Sequence, residues 1–162
     1  MNNIIKQNPI LLNLKRIPVG LSGVSLGIAG WGAACAAFGI PYIKDITSFI
    51  AGCIIIIFIF RKIFHFNILV DELKHHTLGS FIPTFTMASI IVATSLIKVS
   101  LPLGRGIWHL AIILHIIYFS VFFYHRVRNF DLNHVVPSWF VPPIGIVVAS
   151  TTSISMNSHA LA

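Results

Sequence analysis

Five long, nearly uncharged apolar stretches, separated by short connections, limit what this chain can fold into. A helix needs about 20 residues to cross roughly 30 Å of hydrocarbon. Stretches of that order run from Pro18 to Phe38, Ile46 to Phe64, Gly79 to Ile97, Ile107 to Tyr124 and Ser138 to Met156. Hydrocarbon offers no partner for a bare backbone amide, so a stretch that spans must be helical. The connections are too short to hold a soluble domain. Only 9% of the residues are charged, against about 25% in ordinary soluble domains, which excludes a typical cytosolic enzyme or secreted globular domain. The reading is an all-α polytopic membrane protein with five transmembrane helices over residues 18–156. A cytoplasmic lead-in at 1–17 and a short external tail at 157–162 flank them. The opening MNNIIKQNPILLNLKR is too briefly apolar for a secretory signal and reads as an interfacial segment. The second span reaches full length only if Arg61 and Lys62 snorkel at its end. The fifth is the weakest, because Ala149 to Met156 is mostly Ser and Thr.

There are 11 Lys and Arg against 4 Asp and Glu, a net charge of +7. These basic residues sit singly or in pairs between apolar blocks, with no stripe of the kind that binds nucleic acid. Their distribution follows topology instead. Lys6, Lys15 and Arg16 lie in the N-terminal tail, Arg61, Lys62 and Lys74 in the second connection, and Arg126 and Arg128 in the fourth. The first and third connections hold only Lys44, Lys98 and Arg105. The positive-inside rule then places the N-terminus in the cytoplasm and the C-terminus outside the plasma membrane. Trp108 and Trp139 fall at span ends, where indole rings favour the headgroup region.

Odd and even spans differ in composition. The second contains Ile54, Ile55, Ile56, Ile57, Phe58, Ile59 and Phe60 with one glycine, Gly52; the fourth has neither Gly nor Pro. Such smooth, bulky helices suit lipid. The first carries Gly20, Gly23, Gly27 and Gly30 along one helical face. The third carries Pro83 among Thr84, Thr86 and other hydroxyls, and the fifth opens with Pro142, Pro143 and Gly145. Small residues also serve close helix packing alone. Their alternation across five spans points further, to kinked odd helices inside around a path and smooth even helices outside.

Three strings, IPVGLSGVSLGIAGWG, GSFIPTFTMASIIVA and VPSWFVPPIGIVVAS, resemble the tellurite-resistance, C4-dicarboxylate-transporter and slow-anion-channel family. The last string is the most specific, and the likeness runs in order over nearly the whole chain. The resemblance implies a ten-helix subunit built of helical hairpins, with odd helices around a pore, even helices outside, and trimers with one pore per subunit. This chain then corresponds to the first five helices, and the family's aromatic gate lies in the other half. The implied function is transport of small anions (C4-dicarboxylate, tellurite or others) as part of a channel or carrier. The implied partners are the bilayer and a complementary five-helix half or further copies of the chain. The alternative is a truncated or split-gene fragment that does not transport alone.

The candidate pore lining is Gly20, Gly23, Gly27, Pro83, Thr84, Thr86, Pro142 and Gly145. No Asp or Glu lies inside a span as delimited above, so no carboxylate relay is expected. His115, at the centre of the fourth span, is readable as a proton site or haem ligand, but more simply as a neutral ring bonded to a backbone or hydroxyl group. His75 and His76 lack a third clustered metal ligand, and Cys35 and Cys53 lie inside apolar runs. No metalloprotease, P-loop or nucleophile-elbow pattern occurs, so neither an enzymatic activity nor a cofactor or metal is expected.

Overall fold

The structure, a computed structural model, describes residues 14–131 and 135–156. Residues 1–13 of the lead-in, His134 and the tail at 157–162 lie outside the described residues. All regular elements among these residues are helical: α1 (Leu21–Ala37), α2 (Pro41–Phe64), α3 (Phe66–Lys74), α4 (Leu78–Leu96), α5 (Leu101–Arg128) and α6 (Val141–Ser153). The last is flanked by 3-10 turns at Pro137–Phe140 and Ile154–Met156. Four helical segments are long and apolar enough to cross a bilayer: α2, α4, α5 and Pro137–Met156. The fifth apolar helix, α1, has 17 residues, about 26 Å at 1.5 Å per residue and near the lower limit for a span. The chain is thus a multi-pass, all-α membrane protein.

Two even spans are longer than the hydropathy pattern predicts, for a local reason. Gly39 adopts φ 85°, and the amides of Gly39 and Ile40 bond the carbonyls of Ala36 and Cys35 at 3.1 and 3.0 Å. This closing turn satisfies carbonyls left over at the end of α1. Pro41 then opens α2 at its first position, where its missing N–H costs nothing. Asp45 therefore lies inside the second helix, near its start. The expectation of no acidic residue in a span is corrected there; Asp45 pairs with Lys98 at 2.7 Å. Pro102 likewise opens α5, which starts at Leu101 rather than Ile107. Trp108 is consequently two turns into the helix. It is fully buried, with Nε1 donating to Thr152 Oγ1 at 2.9 Å.

The third span is the hub. Helix α4 packs against α1, α2, α5 and α6, and α3 closes over one end of α2, α4 and α5. Buried residues make up 78% of the α4 span, against 28% for α2, 22% for α5 and 28% for the fifth span. Exposure therefore sets α4 apart from the other spans, while the fifth span is as uncovered as the second. The outward residues of α2 and α5, among them Ile56, Phe60, Ile113 and Ile116, are exposed and apolar. That surface is compatible only with lipid or another apolar partner.

Helices α1 and α2 touch through Gly32. A Cβ there would lie 1.7 Å from Thr47 Oγ1, 2.9 Å from its Cβ and 3.1 Å from Lys44 Cα. Gly32→Ala is expected to force this hairpin apart and cost about 1–3 kcal/mol. Thermal melting in micelles checks this; an unchanged midpoint would mean that the two helices are not in such close contact.

Candidate functional site

Three side-chain groups organise the interior. The first centres on His115, which projects from α5 and is 2% exposed. Its Nε2 lies 2.9 Å from the Pro142 carbonyl, and its Nδ1 lies 2.8 Å from Thr86 Oγ1. A carbonyl only accepts, so Nε2 carries the proton and donates to Pro142. Nδ1 faces the Thr86 hydroxyl, whose single hydrogen is shared between that nitrogen and the Pro83 carbonyl, 2.7 Å away. One imidazole thus ties α5 to the proline turn of α4 and to the start of α6. Both ring nitrogens are engaged, leaving neither for an iron. Gly145 makes the fit possible: a Cβ there would stand 2.0 Å from His115 Cε1 and 2.1 Å from Nε2.

The second group is a hydroxyl seam joining α1, α4 and the start of the fifth span. Thr84 Oγ1 lies 2.9 Å from Ser22 Oγ, and Ser80 Oγ lies 2.8 Å from Ser138 Oγ. Most of these hydroxyls also lie against carbonyls one turn back in their own helix: Ser22 to Val19 at 2.6 Å, Ser25 to Ser22 at 2.7 Å, Thr84 to Phe81 at 2.6 Å and Thr94 to Ile91 at 2.7 Å. A hydroxyl has one hydrogen. When that hydrogen goes to a backbone carbonyl, only lone pairs face outward, and lone pairs do not attract an anion.

The third group gathers at the end of the bundle where α2 and α5 finish. Arg61 Nη1 and Nη2 donate to the two oxygens of Glu72 at 2.9 and 2.5 Å. This fork holds α3 onto α2. Arg126 Nη2 donates to the Lys74 carbonyl, and Trp139 Nε1 donates to that of His76 at 3.0 Å. Lys62 Nζ has no hydrogen-bond partner among the described residues. It rests instead over the rings of Phe85 at 4.3 Å, Tyr118 at 4.4 Å and Phe58 at 5.8 Å. The snorkelling expected of Arg61 and Lys62 is therefore corrected. Both are buried, because α3 folds over them and supplies Glu72 to one, while aromatic faces surround the other.

Helix α3 falls in a connection of the hydropathy pattern, although the sequence carries its signal. Phe66, Leu69, Val70 and Leu73 recur at the spacing of one helical face, and Leu69 and Leu73 are buried. The eight candidate lining residues separate into two sets. Pro83, Thr84, Thr86, Pro142 and Gly145 are buried where helices meet. Gly20 and Gly27 lie on the uncovered side of α1, with nothing within 4 Å of a Cβ placed there, and Gly23 faces Phe81 at 4.0 Å. Among the described residues, no group of three or more His, Cys, Asp or Glu stands together as a metal site.

A polytopic helical bundle clasped at its prolines and glycines defines a class of integral membrane protein. The chain belongs to the voltage-dependent anion channel family, whose profile matches residues 15–162. It is 30% identical over 120 residues to an uncharacterized transporter of Methanocaldococcus jannaschii, covering 67% of this chain and 35% of that protein. A second uncharacterized transporter of the same organism is 25% identical over 116 residues, covering 69% of this chain and 33% of the relative. The chain thus spans about a third of the length of these relatives. No solved structure matches.

Proposed function

We propose that this chain forms part of the wall of a pathway for small anions, such as C4-dicarboxylates or tellurite oxyanions, in a channel or carrier of the plasma membrane. The N-terminus lies in the cytoplasm and the odd-numbered spans line the path. Membership of the anion-channel family over residues 15–162 carries this reading. The uncovered glycine side of α1 supports it: Gly20 and Gly27 leave space where any larger residue would narrow a path. Of the candidate residues, Gly20 and Gly27 face the path and Gly23 lies at its edge against Phe81, while Pro83, Thr84, Thr86, Pro142 and Gly145 hold its wall in shape. A complementary five-helix half, or further copies of the chain in a trimer, completes the enclosure.

Reconstitution in liposomes tests the proposal. Anion-selective flux is expected from the chain alone or together with a second-half polypeptide. Absence of flux above empty vesicles under both conditions would remove the transport reading and leave a non-conducting membrane module. With Cys35 and Cys53 replaced by serine, Gly27→Cys is expected to react with a membrane-impermeant thiol reagent, and flux should fall on modification. An unreactive cysteine at 27 would turn α1 towards lipid.

A further inference from the structure

The turn between α3 and α4 is built on a helix cap that can lose its acceptor. His75 closes α3, its amide donating to the carbonyls of Asp71 and Glu72 at 3.3 and 3.1 Å. The same residue opens α4. Its backbone is extended, with φ −71° and ψ 134°, and its carbonyl accepts from the Gly79 amide at 3.1 Å. Its ring nitrogen Nδ1 accepts from the amides of Thr77 and Leu78 at 3.2 and 3.3 Å. An extended backbone, a carbonyl in the first helical hydrogen bond and a side-chain acceptor for the amides two and three residues ahead define a helix N-cap. Serine, threonine, aspartate and asparagine usually fill that position. Their oxygens go on accepting near neutral pH, whereas histidine is the side chain that changes charge between about pH 5 and 8. We propose that His75 is an acid-sensitive cap, and that protonation of its ring unlocks the turn between α3 and α4. The switch does not depend on conduction.

The direction of the switch follows from the donors. A main-chain N–H only donates, so Nδ1 offers its lone pair and the proton of the ring sits on Nε2. An imidazolium has no lone pair. It would turn a third N–H towards the two amides and add positive charge at the positive end of the α4 dipole. The stabilisation is therefore present while the ring is neutral and is lost as the pH falls through the histidine range. The titratable and charged groups around the turn come from every neighbouring element. His76 stacks on the ring, 4.4 Å between centroids, and Lys74 precedes it. On α3, Asp71 is exposed and Glu72 is held by Arg61 of α2. Arg126 of α5 donates to the Lys74 carbonyl, and Trp139, at the start of the fifth span, donates to that of His76. These two ties flank His75, so release of the cap loosens the hold of α5 and the fifth span on the turn. Little slack exists to absorb the change: a Cβ on Gly79 would lie 2.7 Å from the Leu73 carbonyl oxygen and 3.2 Å from that of Glu72.

Hydrogen exchange at the Thr77 and Leu78 amides of the full chain in micelles, read by NMR and corrected for the intrinsic pH dependence of exchange, tests the cap. Protection is expected to fall about fivefold or more from about pH 7.5 to about pH 5.5, the effect of losing a helix cap. In His75→Asn, whose side-chain oxygen accepts without titrating, protection should be the same at both pH values. His75→Ala should show low protection at both. His76→Asn should keep the fall seen in the parent. Helical circular dichroism and a monodisperse elution profile establish that each variant is folded. Equal protection of the parent at the two pH values, the same fall in His75→Asn, or a folded His75→Ala protein protected like the parent at the higher pH would each overturn the proposal. Loss of the pH dependence in His76→Asn would assign the switch to the stacked neighbour and overturn it for His75 as well.

Discussion

Gly145→Ala is expected to unseat His115 and to destabilise the bundle by about 3 kcal/mol or more. The added Cβ would stand 2.0–2.9 Å from three atoms of the imidazole ring. The ring cannot retreat without breaking its bonds to Thr86 and to the Pro142 carbonyl. Overpacking of a tight core contact costs about 1–3 kcal/mol, and stranding a buried hydrogen-bonding group adds about 1–3 kcal/mol more. His115→Ala alone removes both bonds and leaves a cavity beside Gly145, at a cost of about 2–4 kcal/mol. The two substitutions should not add. With the imidazole gone, the methyl group at 145 occupies vacated space, so the double variant should be less destabilised than the sum of the single variants. Unfolding in mixed micelles provides all three values. Strict additivity, or a Gly145→Ala protein that unfolds like the parent, would show that the imidazole does not lie against Gly145.

Glu72→Gln is expected to release α3 and to cost about 3–5 kcal/mol, the usual penalty for removing one partner of a buried ion pair. Arg61 is 4% exposed and Glu72 12% exposed in this pair, so solvent provides little compensation. The loss is compounded by Lys62, the next residue, which brings a second buried positive charge into the same space. Limited trypsin digestion reads the result directly: cleavage after Lys74, at the end of α3, should accelerate in the variant. The reversed pair, Arg61→Glu with Glu72→Arg, should recover part of the protection. Equal protection of the parent and Glu72→Gln would mean that packing of Leu69 and Leu73, rather than the ion pair, holds this helix.

The limits of the sequence reading show at particular residues. Isoleucine and phenylalanine runs mark the second and fourth spans but not their starts, which lie earlier, at Pro41 and Leu101. Hydropathy averages across a window, whereas a helix begins where backbone geometry permits. Gly39 with Pro41, and Ser100 with Pro102, marked those starts in the sequence. Helix α3 is hidden because a short connection carrying Asp71, Glu72 and Lys74 reads as loop until its four apolar positions are placed on a wheel. For His115, the simpler reading as a ring bonded to a backbone and a hydroxyl group matches the geometry, but its partners lie 29 and 27 residues away, on other helices. Residue type alone picks out the candidate lining residues. Side-chain rotation about each helix is not contained in type, and it separates Gly20 and Gly27 on an uncovered side from Gly145 against an imidazole.

The sequence by itself determined the helical, membrane-spanning class of this protein and its family. Apolar length and backbone hydrogen bonding in lipid leave no other regular structure for such stretches, and the string VPSWFVPPIGIVVAS is the most specific mark of the family. Only the tertiary structure decided which span is the hub, where Arg61 and Lys62 go, and which small residues serve packing. Those outcomes depend on contacts between segments far apart in the chain, where the burial of a charge or the absence of a Cβ is settled by the neighbour that arrives opposite it.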